Sequence, residues 1–151
     1  MKPIAYLKLQ AKNLFKDYKT RTPYIDEQDG ETYYKYDPQF FDIDGLFLAY
    51  DWDENDFSLM KAQHLITLMA GFNKWADLIN ASEAEQKLAK HLFDNQDKIE
   101  LIEWQLYIIN VERENNIKLN AEGKLEIFEQ VFLSDGHISM YDDYRIRKRT
   151  S

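Results

Sequence analysis

The chain contains no cysteine. Disulfides, thiolate zinc sites, iron–sulfur ligation and cysteine nucleophiles are thereby excluded. Glycine is scarce, five in 151 residues, so few backbone stretches can approach a ligand closely. There is no glycine-rich phosphate loop and no Gly-x-Ser-x-Gly elbow. The three histidines, His64, His91 and His137, have no partner at His-x-x-x-His or Glu-x-x-His spacing. Helical zinc and di-iron carboxylate sites are therefore unsupported. His64 is expected as a hydrogen-bonded structural residue, and His91 as favouring the C-terminal end of its helix. No apolar run resembles a signal peptide or approaches a membrane span, so the expected setting is cytoplasmic. No cofactor, metal or catalytic residue is expected.

What the chain does have is aromatic and acidic residues. Aromatics make up 15% and hydrophobic residues 44%, enough for one domain, residues 1–151, with a large aromatic core. Charge is uneven along the chain. Residues 1–23 carry six basic residues and a single acid, Asp17. Residues 24–57 carry eleven acids against Lys35 alone, a balance of −10 that exceeds the net −8 of the whole chain. Such a protein is a poor candidate for non-specific phosphate binding, although local basic patches can still act.

Hydrophobic spacing predicts a mainly α fold, a bundle of five or six helices with a small β-hairpin near residues 24–50. The first helix covers about 4–19. Its apolar stripe is Ile4, Leu7, Ala11, Leu14 and Tyr18, and Lys8, Lys12, Lys16 and Lys19 share an adjacent face. Asp29-Gly30 and the β-prone run 32–36 suggest a hairpin with 24–25, or else a loop packed by its own tyrosines. Residues 40–50 read as a short helix capped by Asp42, or as a strand. A helix over 57–70 starts from Asp56 or Ser58 and ends at Gly71, with Phe72 folding back. A short helix follows at 73–80, with Trp75, Leu78 and Ile79 turned inward. Ser82 and Glu85 form a capping box for 83–94. Asp97 begins the longest helix, 97–115. Its apolar residues fall into two sets, one with Ile99, Ile102, Leu106 and Ile109, the other with Leu101, Trp104, Ile108 and Val111, so burial on both sides is expected. Asn120 caps a last helix, 121–133, and Asp135-Gly136 makes a turn. The tail from 134, with Arg145, Arg147, Lys148 and Arg149, is expected to fray from Met140 onward. Any subdivision falls near 81–82.

Several constellations carry possible chemistry. Gln63, Gly71 and Phe72 follow the order of a DNA-reading helix-turn-helix. Thr67 and Asp77 depart from it, and no arginine is placed to read guanine edges, so a packed αα-hairpin fits better. Asp51, Asp53 and Asn55 resemble the start of a calcium loop, but Asp56 stands where glycine is needed and Ala62 where a bidentate acid is needed. The simpler reading is that residues 53–56 cap the following helix. The lysine stripe of the first helix either matches the acidic segment of the same chain or is a solvated face. The acids Asp51, Asp53, Glu54 and Asp56, with the tyrosines Tyr33, Tyr34, Tyr36 and Tyr50, read as a candidate interaction surface. Such carboxylates can also imitate phosphates.

The residues 7–14, 59–66 and 71–78 together resemble a small bacterial helical domain. Its pattern runs Leu-Lys-x-x-Ala-Lys-x-Leu, a spacer, Ala-x-x-Leu-Ile, then Gly-Phe-x-x-Trp-x-x-Leu, with Gly71, Phe72 and Trp75 as the distinctive matches. Its members are often labelled glyoxalase-superfamily-like proteins of unknown function. The likeness covers the N-terminal half, with an unusually long acidic spacer. It implies a helical scaffold and transfers no catalytic residue. A true glyoxalase fold needs paired βαβββ modules and His/Glu ligands, which this chain does not show. The expectation is a non-catalytic, macromolecule-binding or regulatory bacterial protein, of the kind carried on a mobile element, with a sealed apolar body and a protein partner. Neither nucleic acid nor membrane is an expected partner. The competing readings are an acidic nucleic-acid mimic, a direct nucleic-acid binder using the first helix and the tail, and a metal-dependent enzyme.

Overall fold

A computed structural model describes residues 1–134 and 139–146. The Asp135-Gly136 turn, His137 and the tail cations Arg147, Lys148 and Arg149 lie outside the described residues. Seven helices and one hairpin are found among those described: α1 Pro3–Tyr18, β1 Thr22–Ile25, β2 Thr32–Lys35, α2 Ile43–Tyr50, α3 Leu59–Met69, α4 Trp75–Ile79, α5 Glu83–Asp94, α6 Leu101–Asn115 and α7 Ala121–Val131. The fold is mainly α with a small antiparallel hairpin, and has more helices than the five or six expected.

Local chemistry sets most of these boundaries. Pro3 starts α1, where its missing N–H costs nothing. Asp42 caps α2 by accepting from the Gly45 amide, which resolves the ambiguous 40–50 stretch as helix. Ser58, and not the acids 53–56, caps α3 through the Lys61 amide. At the end of α3, Gly71 adopts φ 90°. The Phe72 amide then reaches Thr67 O at 3.1 Å and the Gly71 amide reaches Leu68 O at 3.0 Å, the paired bonds of a Schellman stop. The Ser82–Glu85 capping box is present at α5. In the hairpin, Thr22 pairs with Lys35 and Ile25 with Thr32.

Three expectations fail for tertiary reasons. Ile79 is exposed, because α4 buries only Leu78 in full. The long helix begins at Leu101. Asp97 is used elsewhere: its carbonyl accepts from the Met140 and Tyr141 amides, both at 2.9 Å, and its carboxylate from Ser139 at 2.5 Å. The chain from Met140 therefore does not fray over its described part. It returns as a strap, with Tyr144 O accepting from the Asp42 amide at 2.8 Å and the Ile146 amide donating to Phe40 O at 2.8 Å.

Two apolar clusters form. One joins α1, α2, α3 and part of α5, around Leu7, Leu14, Phe41, Leu65, Ile66 and Phe93. The other joins α5, α6 and α7, around Trp104, Ile108, Phe128 and Phe132. They meet within α5, where Ala89 and Phe93 serve the first while Leu88 and Leu92 serve the second. The body is not sealed. An open cleft of about 320 Å³ lies at this seam, lined by Ala70, Gly71, Phe72, Leu88, Leu92 and Trp104 among others.

Candidate interaction surface

The hairpin and the segment 51–56 come from separate stretches of sequence, and Arg21 with Tyr36 ties them together. The Arg21 guanidinium donates to the Glu54 backbone carbonyl at 2.6 Å and lies over the rings of Tyr18 and Tyr34, 4.8 and 4.5 Å from their centroids. Tyr18 donates to the same carbonyl at 2.7 Å, and Tyr36 donates to the Glu54 carboxylate at 2.8 Å. Behind them, Tyr18, Phe47, Phe57 and Trp52 form a run of ring contacts with centroids 4.9–6.0 Å apart. Burial, reinforced by the Glu54 carboxylate, pushes the Tyr36 hydroxyl far above its ordinary range and keeps it a donor.

The candidate residues divide into two groups. Tyr34, Tyr36 and Glu54 are half-buried and hold the surface together. Asp51, Asp53 and Asp56 are exposed, as are Glu27, Asp29, Glu31 and Asp37 of the hairpin region. Tyr33 is exposed and bonded to Asp29; that bond pushes the phenol up to about 12 and holds the carboxyl below its usual range. Local bonds fix several carboxylates. Asp53 accepts from the Asn55 amide at 2.9 Å, Asp29 from Glu31 at 2.8 Å, and Asp26 from Gln28 at 2.7 Å. Asp51 ends α2 at φ 54°. Asp56 pairs with Lys61 at 2.5 Å. Gly71, Phe72 and Trp75 sit apart from this surface: Gly71 makes the stop, while Phe72 and Trp75 pack half-buried on the first cluster.

The lysine stripe is a solvated face. Lys8, Lys12, Lys16 and Lys19 are exposed and, among the described residues, make no ion pair with the acidic segment. The acidic segment is reached instead by Arg21, on the Glu54 carbonyl, and by Lys61, on Asp56. Arg145 is equally occupied: it donates to Asp94 at 2.6 Å and lies over Phe93, while Tyr6 and Lys90 approach the same carboxylate at 2.5 and 2.8 Å. The Tyr6 hydroxyl is pushed up to about 12 by burial and by this carboxylate. His91 lies in the last turn of α5, 3.9 Å from the Glu129 carboxylate. It stacks on Phe128, and burial holds its imidazole below the ordinary value. His64 is exposed, with its ring beside Trp52. Among the described residues no group of three or more His, Asp or Glu side chains is arranged to hold a metal ion. No described helix is long and apolar enough to cross a membrane.

The residue that sequence reasoning missed is Asp17. Only 2% exposed, it receives the amides of Gln39, Phe40 and Phe41 at 2.8–2.9 Å and so fixes the chain between the hairpin and α2. Its one signal was compositional, a lone acid in a basic stretch. Comparison of the chain with family models, with curated proteins and with solved structures finds no match in any of the three.

Proposed function

We propose that the protein is a non-catalytic binding module that engages a basic protein partner through the acidic surface of the hairpin and residues 51–56. One observation carries this reading. Carboxylates from two separate stretches are presented together, and the ion pairs of this surface among the described residues reduce to Lys61–Asp56. Uncompensated charge of one sign steers and orients a partner of the opposite sign more than it stabilises a fold. Exposed Tyr24 and Tyr33 add amphipathic contact area. The bacterial cytoplasm is the setting this reading assumes, and the N-terminal likeness to a small bacterial helical domain concerns the scaffold alone.

Capture from a bacterial lysate on the immobilised protein tests the reading. A retained basic protein should elute with moderate salt and be lost when Asp51, Asp53 and Asp56 are all replaced by Asn. Capture unaffected by those replacements would eliminate this surface. A second reading is favoured by the backbone bonds that hold Asp26, Asp29 and Asp53 rigid: the carboxylates mimic a phosphate row. On that reading a nucleic-acid duplex displaces the captured partner. Direct nucleic-acid binding would instead use Lys8, Lys12 and Lys16. It predicts a low-salt electrophoretic shift that weakens on their charge reversal.

A further inference from the structure

Helix α6 has two apolar faces on opposite sides. Leu101, Trp104 and Ile108 face the second cluster, with Trp104 and Ile108 buried. The other face carries Ile102, Leu106 and Ile109 at i, i+4 and i+7. They are 58%, 52% and 45% exposed, where the sequence pattern calls for burial. The bare face continues sideways. Leu106 shares a groove of about 480 Å³ with Val131 and Met140, which are themselves 37% and 77% exposed. Together these five side chains leave roughly 500 Å² of contiguous apolar surface, at the upper end of what a monomer shows.

We infer that this face is covered by a second copy of the chain, α6 lying antiparallel on α6 about a two-fold axis near Leu106. The stripe is close to palindromic, with Leu106 central, Ile102 four residues before it and Ile109 three after. Turning one helix end for end therefore sets Ile102 against the partner's Ile109, and Leu106 against its own counterpart, as an isologous contact requires. Charge agrees with this direction. Exposed Arg113 lies on the same face, one turn beyond Ile109, and in the antiparallel arrangement it approaches the partner's helix start, where Glu103 is exposed and flanks the stripe. A parallel arrangement would instead align like charges. Antiparallel helix dipoles also attract. The apolar area supplies the greater part of the about 800 Å² per partner that a stable interface needs, and the polar rim supplies the rest. The acidic surface of the hairpin is no part of this contact, so a dimer would carry two copies of it.

Sedimentation equilibrium of the full chain across micromolar concentrations tests the inference. The expected result is a reversible dimer. Leu106→Glu should raise its dissociation constant by about 100-fold or more while leaving far-ultraviolet circular dichroism unchanged, since the side chain points outward. Leu48→Glu, on α2 and still more exposed, should leave it unchanged. Arg113→Glu should weaken the dimer, and adding Glu103→Arg should restore it. A monomer at every concentration would overturn the inference, as would a dimer indifferent to Leu106→Glu. Rescue failing in the charge-exchanged double variant would overturn the antiparallel arrangement.

Discussion

The cluster around Leu14 and Phe41 and the cluster around Phe128 are both rich in aromatic rings, yet they hold their surroundings by different means. The first organises the loops around the hairpin and α2, within residues 19–58, and the returning strap, and does so with polar anchors: Asp17 under the 39–41 amides, Glu54 under Arg21, Tyr18 and Tyr36, and Asp94 under Arg145 and Tyr6. The second contains regular helices and is joined mainly by apolar packing, with Trp104, Phe128 and Phe132 centroids 5.2–5.8 Å apart among Leu88, Leu92 and Ile108. A helix satisfies its own backbone and needs only an apolar stripe to dock. An irregular segment has amides to satisfy, and each buried one requires a partner. The contrast therefore follows from the backbone.

The sharpest test of this contrast is Phe128→Ala. The ring is fully buried among Trp104, Phe132 and His91, so its loss should cost about 3–5 kcal/mol in urea unfolding, with no change at the hairpin. Asp17→Ala should cost about 3 kcal/mol, because three amides lose a charged acceptor at once. Its signature is local. Hydrogen exchange at Gln39, Phe40 and Phe41 should accelerate while that of α7 keeps pace only with global unfolding. If all regions lost protection equally, the anchor would be no more than a general core residue.

Gly71→Ala comes next. A Cβ at φ 90° is strained, and it would stand 3.3 Å from Leu92, so about 1–2 kcal/mol should be lost across the seam of the two clusters. His91 gives a smaller, pH-dependent effect confined to the second cluster. Its folded imidazole titrates below the ordinary 6.5, so the unfolded chain binds the proton first. The contribution is complete above about pH 6.5 and is lost as pH falls toward the depressed folded value. Compared with His91→Gln, the wild-type protein should therefore lose more stability between neutral and mildly acidic pH, read as the difference in urea midpoints. The smallest effect belongs to the exposed acids. Replacing Asp51, Asp53 and Asp56 together by Asn should change stability by about 0.5 kcal/mol or less, which keeps their effect on partner capture interpretable.

The helices with complete start and stop signals were legible in advance: Ser58 to Gly71, Ser82 to Asp94, Asn120 onward, and the hairpin at Asp29-Gly30. Their signals act over a few residues of chain, through amides and side chains that are neighbours in any fold. The candidate surface was only half legible. A run of acids predicts exposure, and Asp51, Asp53 and Asp56 are exposed. Nothing local marks Glu54, Tyr34 and Tyr36 as the residues that turn inward to hold the surface together, because their partner Arg21 lies 33 residues from Glu54. The start of α6 was misplaced for the same reason. Asp97 is a good helix cap by its chemistry, but the returning strap at Ser139–Tyr141 claims it.

By itself, the sequence determined the helical class, the caps, the glycine stop and the sign of the charge on residues 24–57, because each depends on intrinsic geometry or on near neighbours along the chain. Only the tertiary structure decided which face of α6 is covered, that Asp17 and Arg145 are anchors within the fold, and that the lysine stripe stands in solvent away from the acids. Those outcomes depend on which distant segment arrives first at a given side chain, and the free energy that selects among them comes from the packed whole.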